Sequence, residues 1–131
     1  MNTVASHACA APRALALGSL AGLVVLKLVM LGGLYSRTPP FPPEFLSPFI
    51  GATLALAALG AVLLVSNLRW FFVPTVAFAA ASLLSYGPHK LYPGDNPFFF
   101  AQTPTVYPAI AVGSILIATL ILSSLRLRKH L

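Results

Sequence analysis

One apolar stretch, residues 14–35, constrains the fold of this chain more than any other feature. Its sequence is ALALGSLAGLVVLKLVMLGGLY, and its only charged residue is Lys27. At a rise of about 1.5 Å per residue, a helix of this length is roughly 33 Å long, which matches the ~30 Å hydrocarbon core of a bilayer. The stretch therefore predicts a membrane-spanning helix that has to accommodate one lysine.

The composition of the whole chain agrees with a membrane protein. Of its 131 residues, 58% are hydrophobic and 8% are charged, whereas soluble domains carry about 25% charged residues. So few charges are not enough to cover a water-facing surface. The net charge of +6 comes from scattered basic residues. Because these form no basic face with interleaved aromatic residues, we expect no binding to nucleic acid.

Four apolar segments predict four spanning helices in a single membrane domain that covers residues 1–131. Ser47 followed by Pro48 is typical of a helix start, with a capping hydroxyl before a first-turn proline. The turn around Asn67 is so short that the second and third helices must be antiparallel neighbours. The expected fold class is an all-α integral membrane protein, a four-transmembrane-helix antiparallel bundle. The predicted helices cover approximately residues 14–35, 48–66, 70–86 and 105–125.

The basic residues predict the orientation in the membrane. One side of the predicted bundle carries Arg13, Arg69, Arg126, Arg128 and Lys129. The other side carries only Arg37 and Lys90, on two outer loops rich in proline and aromatic residues. Because basic residues concentrate on the cytoplasmic side, both termini are predicted to be cytoplasmic, in a cell (inner or plasma) membrane.

Residues that could carry chemistry are few. The sequence has no metal-binding pair of histidines on a helix, no CxxC, no Gly-x-Ser-x-Gly and no phosphate-binding glycine loop. None of the three histidines lies in a predicted span. We therefore expect no cofactor and no metal, and the sequence leans away from an enzyme.

Lys27 is the exception, since an ionised lysine at the centre of a span costs roughly 2.5–3.5 kcal/mol. Three interpretations stay open. The lysine is neutral or snorkels toward the interface, bonded to carbonyls and hydroxyls; it forms an ion pair with a loop acid or a partner subunit; or it belongs to a transport site. The candidate outer-loop partners are Arg37, Glu44, His89, Lys90 and Asp95.

Helix one also carries a GxxxG pattern, Gly18 and Gly22, on the face opposite Lys27. If this glycine face packs on the chain's own helices, Lys27 is expected to point outward; if Lys27 points inward, the glycine face is expected to be free for another chain. Either way, Lys27 and the glycines should contact different neighbours. The predicted helix-packing positions are Gly18, Gly22, Gly51, Ala55, Ala111, Ser114 and Ala118.

These features favour a non-catalytic structural or assembly subunit of a larger membrane complex. Its partners would be the bilayer and other membrane subunits or further copies of itself, with an interface patch at Phe98, Phe99 and Phe100. The first alternative is a small transporter, or half of a homodimeric one, that uses Lys27. The second is a membrane enzyme that uses the polar residues of the outer loops.

Overall fold

A computed structural model describes residues 3–37, 44–86 and 106–130 of the chain. These residues form four α-helices, two short 3-10 helices and no strand. The α-helices are α1 (Thr3–Ser36), α2 (Ser47–Val65), α3 (Phe72–Tyr86) and α4 (Val106–His130), and the 3-10 helices are Glu44–Leu46 and Arg69–Phe71. The predicted all-helical class and the presence of four helices are therefore confirmed.

Three of the four helices are apolar and long enough to cross a bilayer, which supports a membrane protein. The stretches that meet this requirement are Ala10–Ser36, Ser47–Val65 and Pro108–Lys129. The third apolar stretch, Arg69–Leu84, is shorter. At about 1.5 Å per residue its 16 residues reach roughly 24 Å, less than the hydrocarbon thickness. Of the four predicted spans, three thus have the full length.

The first and last helices extend beyond their predicted bounds. α1 begins at Thr3 and includes Pro12, whereas the predicted helix begins at about residue 14. This segment is rich in alanine, the best helix former, which explains the extension. α4 continues to His130, past its last apolar residues. Its final turn carries Arg126, Arg128 and Lys129, and cations at a helix C-terminus interact favourably with the helix dipole.

The turn between α2 and α3 is as short as predicted. Asn67 adopts the left-handed conformation, with φ 57°. The Leu68 N–H donates to the Leu63 carbonyl (2.9 Å), and the Asn67 N–H donates to the Leu64 carbonyl (3.1 Å). This pair of hydrogen bonds is a Schellman motif, which satisfies the last carbonyls of α2 and reverses the chain at once.

The start of α2 differs from the prediction in one respect. Pro48 lies in the first turn as expected, but the residue at the N-cap is Leu46, and no side chain caps the helix. Ser47 is already helical. Its hydroxyl lies 3.5 Å from the Tyr35 hydroxyl, so this serine faces the end of α1 instead of the free N–H groups of α2.

Inter-helix contacts identify the elements at each end of the molecule. α1 packs on α4 and α2, and α3 packs on α2 and α4. At one end, Arg13 of α1 donates a hydrogen bond to Asn67 in the α2–α3 turn, and the Arg128 guanidinium of α4 lies over the Phe72 ring at the start of α3. We call this the basic end. At the other end, the Tyr35–Ser47 contact brings the end of α1 to the start of α2.

Candidate functional site around Lys27

Lys27 belongs to a buried stripe on α1. The buried residues of this stripe follow one another at intervals of three and four positions, the spacing of one helix face. They are Ala16, Leu20, Leu23, Lys27, Met30 and Leu34. Lys27 thus occupies a central position of an otherwise apolar packing face.

The side chain of Lys27 is fully buried, with 0% exposure. Its Nζ lies 5.7 Å from the centroid of the Phe78 ring on α3, within the ~6 Å range of a cation–π interaction. Phe78 is itself fully buried. The lysine therefore faces the interior of the molecule, toward α3, and it does not snorkel along the lipid-facing surface.

The face of α3 that carries Phe78 also carries buried hydroxyl groups. Thr75 and Ser82 lie about one helical turn before and after Phe78 and are buried. Within the described parts of the chain, Thr75 Oγ1 and Ser82 Oγ have no hydrogen-bond partner, and neither has Ser124 Oγ on α4. An unsatisfied buried hydroxyl costs about 1–3 kcal/mol. The interior therefore contains polar groups on the same face of α3 as Phe78, the ring that Lys27 faces.

Gly22 and Lys27 contact different helices of the same chain. A Cβ built on Gly22 would lie 2.9 Å from Cδ1 of Leu116, so this glycine faces α4. A Cβ built on Gly18 would have no atom within 4 Å. The predicted glycine face is thus divided, since Gly22 faces inward and Gly18 is exposed. Gly22 and Lys27 are about 140° apart around the helix, and neighbouring helices cover both directions.

Most of the other predicted packing positions face outward. Gly51, Ala55, Ala111 and Ala118 are exposed, and Ser114 is half-buried. A Cβ on Gly51 would meet nothing within 4 Å. Among the described residues, no helix of the chain covers these exposed positions.

Sequence reasoning missed a close helix contact at Gly60. A Cβ there would lie 2.7 Å from Thr75 Oγ1 and 3.6 Å from Thr75 Cα. α2 and α3 therefore approach each other closely at a position that only glycine fills without strain. Phe78 was also missed as a neighbour of Lys27, although its place in the middle of α3, between Thr75 and Ser82, is a signal that the sequence contains.

The predicted loop partners of Lys27 are only partly described. Arg37 is exposed at the end of α1, in the left-handed conformation, with its N–H bonded to the Leu34 carbonyl at 3.3 Å. Glu44 begins a 3-10 helix, and nothing is described of its side chain. An ion pair between Lys27 and a loop acid therefore stays a prediction. His89, Lys90, Asp95, Phe98, Phe99 and Phe100 lie outside the described residues.

The side chains around Lys27 are suited to binding or packing. Among residues 3–37, 44–86 and 106–130, no group of three or more His, Cys, Asp or Glu side chains could hold a metal ion. The described groups are an amine, the aromatic ring that it faces, and hydroxyls on the same face of α3 as that ring. Such a set can hold a cation in place or donate hydrogen bonds.

Comparison with known proteins yields no relative of this chain. No protein-family model, curated protein or solved structure matches it. The function is therefore argued from the residues and their contacts alone.

Proposed function

We propose that the chain is a multi-pass protein of a cell membrane, with its helices arranged as an antiparallel bundle and both termini in the cytoplasm. The contacts at the basic end support this arrangement, because they bring Arg13 to the α2–α3 turn and Arg128 to the start of α3. The basic end thus collects Arg13, Arg69, Arg126, Arg128 and Lys129. The positive-inside rule assigns such an end to the cytoplasm.

Within that membrane, the chain acts as a non-catalytic structural or assembly subunit of a larger complex. The observation that carries this proposal is the outward stripe of small residues on α2, which consists of Gly51, Ala55 and Ala58. Many other exposed positions of the spans carry bulky side chains, for example Val29, Val62 and Ile115. Small residues in a membrane helix allow another helix to approach its backbone closely.

Purification in mild detergent, followed by native gels and native mass spectrometry, tests the proposal. We expect the chain to leave the membrane with a partner or with further copies of itself. Ala55→Leu, which fills the stripe, should abolish this association. Val62→Leu is the matched control, because it changes an already bulky exposed residue of the same helix, and it should keep the partner. A stable lone monomer would refute the proposed role.

The second candidate function is a small transporter, and the buried Lys27 favours it. Ionisable residues inside membrane spans commonly mark substrate or proton pathways. Here the amine lies against Phe78, on the α3 face that carries the Thr75 and Ser82 hydroxyls. For a transporter, Lys27→Met would give a folded chain that no longer moves its substrate. For a structural subunit, the same variant would still assemble with its partner.

A further inference from the structure

A groove at the basic end joins two arginines to an aromatic and aliphatic wall. It lies where the 3-10 helix Arg69–Phe71 and the first turn of α3 meet the last turns of α4. The cavity measures about 390 Å³ and is lined by Arg69, Trp70, Phe72, Val73 and Arg128. None of these described lining residues is acidic.

The positions of the two guanidinium groups suit an anion. Arg128 lies over the Phe72 ring, 4.6 Å from its centroid, and this stacking holds its long side chain beside the groove. Arg69 borders the same cavity from the start of α3. Two arginines that line one cavity supply the positive charge and the N–H donors that bind a phosphate group.

The location of the groove favours a lipid headgroup over free phosphate as the ligand. The candidate span of α4 ends at Lys129, and that of α2 ends at Val65, so the groove lies at the edge of the apolar zone. Trp70 is 74% exposed, and Val73 is 57% exposed. Tryptophan at such a position is typical of the headgroup region of a bilayer. A lipid would place its phosphate between the arginines and its upper acyl chain against Trp70 and Val73, whereas free phosphate would leave the apolar wall uncovered.

We propose that this groove is a binding site for the phosphate headgroup of an anionic phospholipid. Basic pockets between membrane helices on the cytoplasmic side bind such headgroups in general. The site is independent of the proposed subunit role, since it needs only the basic end and the bilayer edge. Association with partner proteins through the small-residue stripe of α2 is a separate property.

Lipid binding to the full chain in detergent, measured by native mass spectrometry, tests the proposal. Phosphatidylglycerol and phosphatidylcholine are the two probes, and the anionic lipid should be retained preferentially. Arg69→Gln and Arg128→Gln should each weaken phosphatidylglycerol binding roughly fivefold. Arg126→Gln removes the same charge from an exposed position of α4 that does not line the groove. It should leave the affinity essentially unchanged.

Two results of these measurements would overturn the proposal. The first is equal retention of the two lipids by the unmodified chain. The second is a loss of phosphatidylglycerol affinity in Arg126→Gln as large as that in Arg128→Gln, which would indicate unspecific attraction by the whole basic end.

Competition with inorganic phosphate at millimolar concentration distinguishes a lipid headgroup from free phosphate as the ligand. The phosphate should fail to displace the lipid, and displacement would reassign the groove to a free anion.

A crosslinking measurement uses the unmodified chain, so its result does not depend on whether a variant folds. Phosphatidylglycerol with a photoreactive headgroup is added to the purified chain, and the labelled positions are mapped by tandem mass spectrometry. We expect labels at residues 69–73 and around 128. Labels confined to the opposite end, near Tyr35 and Ser47, would contradict the proposed site.

Discussion

At the scale of single residues, Lys27 combines a charge with the role of a core side chain. It is among the largest fully buried side chains of the described residues, together with Phe71 and Phe78. Its aliphatic stem fills volume in the way that a leucine or methionine does, and its amine lies over an aromatic ring. The contributions of side-chain volume and of charge to stability can therefore be separated by a substitution of Lys27 that removes the charge and keeps the volume.

We expect Lys27→Met to cost less stability than Lys27→Ala, by about 2 kcal/mol. Methionine keeps most of the side-chain volume, whereas alanine leaves a cavity at the buried stripe of α1. Thermal unfolding in detergent measures the difference. Leu28→Ala is the control, because Leu28 is the next residue on α1 and is 52% exposed, so its truncation opens no cavity. Equal losses for Met and Ala would mean that the amine, and not the volume, holds this site together.

The burial of Lys27 could not be derived from the sequence, although its presence in a span was plain. The face of α1 that carries Lys27 is leucine-rich, and leucine is equally suited to lipid and to protein. Which side of the helix lies inward depends on contacts with α2 and α4, which are separate segments of the chain. The position of Lys27 in the span was therefore predictable, but the direction in which its side chain points was not.

At the scale of elements, the α2–α3 hairpin is defined by a tight turn and a close crossing. The Schellman motif at Asn67 sets the turn, and Gly60 against Thr75 sets the distance between the helices. The turn was predictable, because its length is encoded locally. The crossing was not, because α2 is apolar on all sides, so that Gly60 and Gly51 look alike in the sequence.

Gly60→Ala should destabilise the hairpin by about 1–2 kcal/mol, even though alanine gains roughly 1 kcal/mol in helix propensity. The added methyl group would collide with Thr75 Oγ1, as the 2.7 Å distance implies. Gly51→Ala on the same helix meets open space and should be neutral or slightly stabilising. Thermal unfolding of both variants in detergent provides the comparison.

A second substitution sharpens the same prediction. Thr75→Ala removes the hydroxyl that Gly60→Ala would strike, so the double variant should recover most of the lost stability. Strictly additive losses in the two variants would show that α2 and α3 do not meet at this pair.

At the scale of the whole molecule, the short α3 raises the question of how the chain returns across the membrane. The apolar stretch of α3 is roughly 6 Å shorter than the hydrocarbon core. Local thinning of the bilayer and flanking interfacial residues accommodate such a mismatch at modest cost. Trp70, 74% exposed next to the start of α3, is placed to do this. The proposed crossing by α3 is therefore physically consistent with its length.

Cysteine labelling tests the resulting orientation. The native Cys9 is first replaced by serine, since it is the sole cysteine of the chain. Ser66→Cys and Ser36→Cys then place one thiol at each end, both at exposed positions. A membrane-impermeant maleimide should reach position 36 from outside intact cells and position 66 only in inverted vesicles. The reverse pattern, or labelling of both from one side, would contradict cytoplasmic termini.

The buried lysine has one more consequence, which concerns the freedom of α1 to turn about its own long axis. A helix with only leucine and glycine would lose little by revolving in lipid, because every azimuth offers a similar hydrocarbon surface. With Lys27 in the stripe, a rotation of α1 about its axis by one residue position, about 100°, would bring the ammonium group toward the acyl chains. Exposing an ionised lysine there costs roughly 2.5–3.5 kcal/mol. The burial of Lys27 therefore favours one rotational orientation of α1 about its axis. That orientation decides which leucines of α1 face the interior and which face lipid.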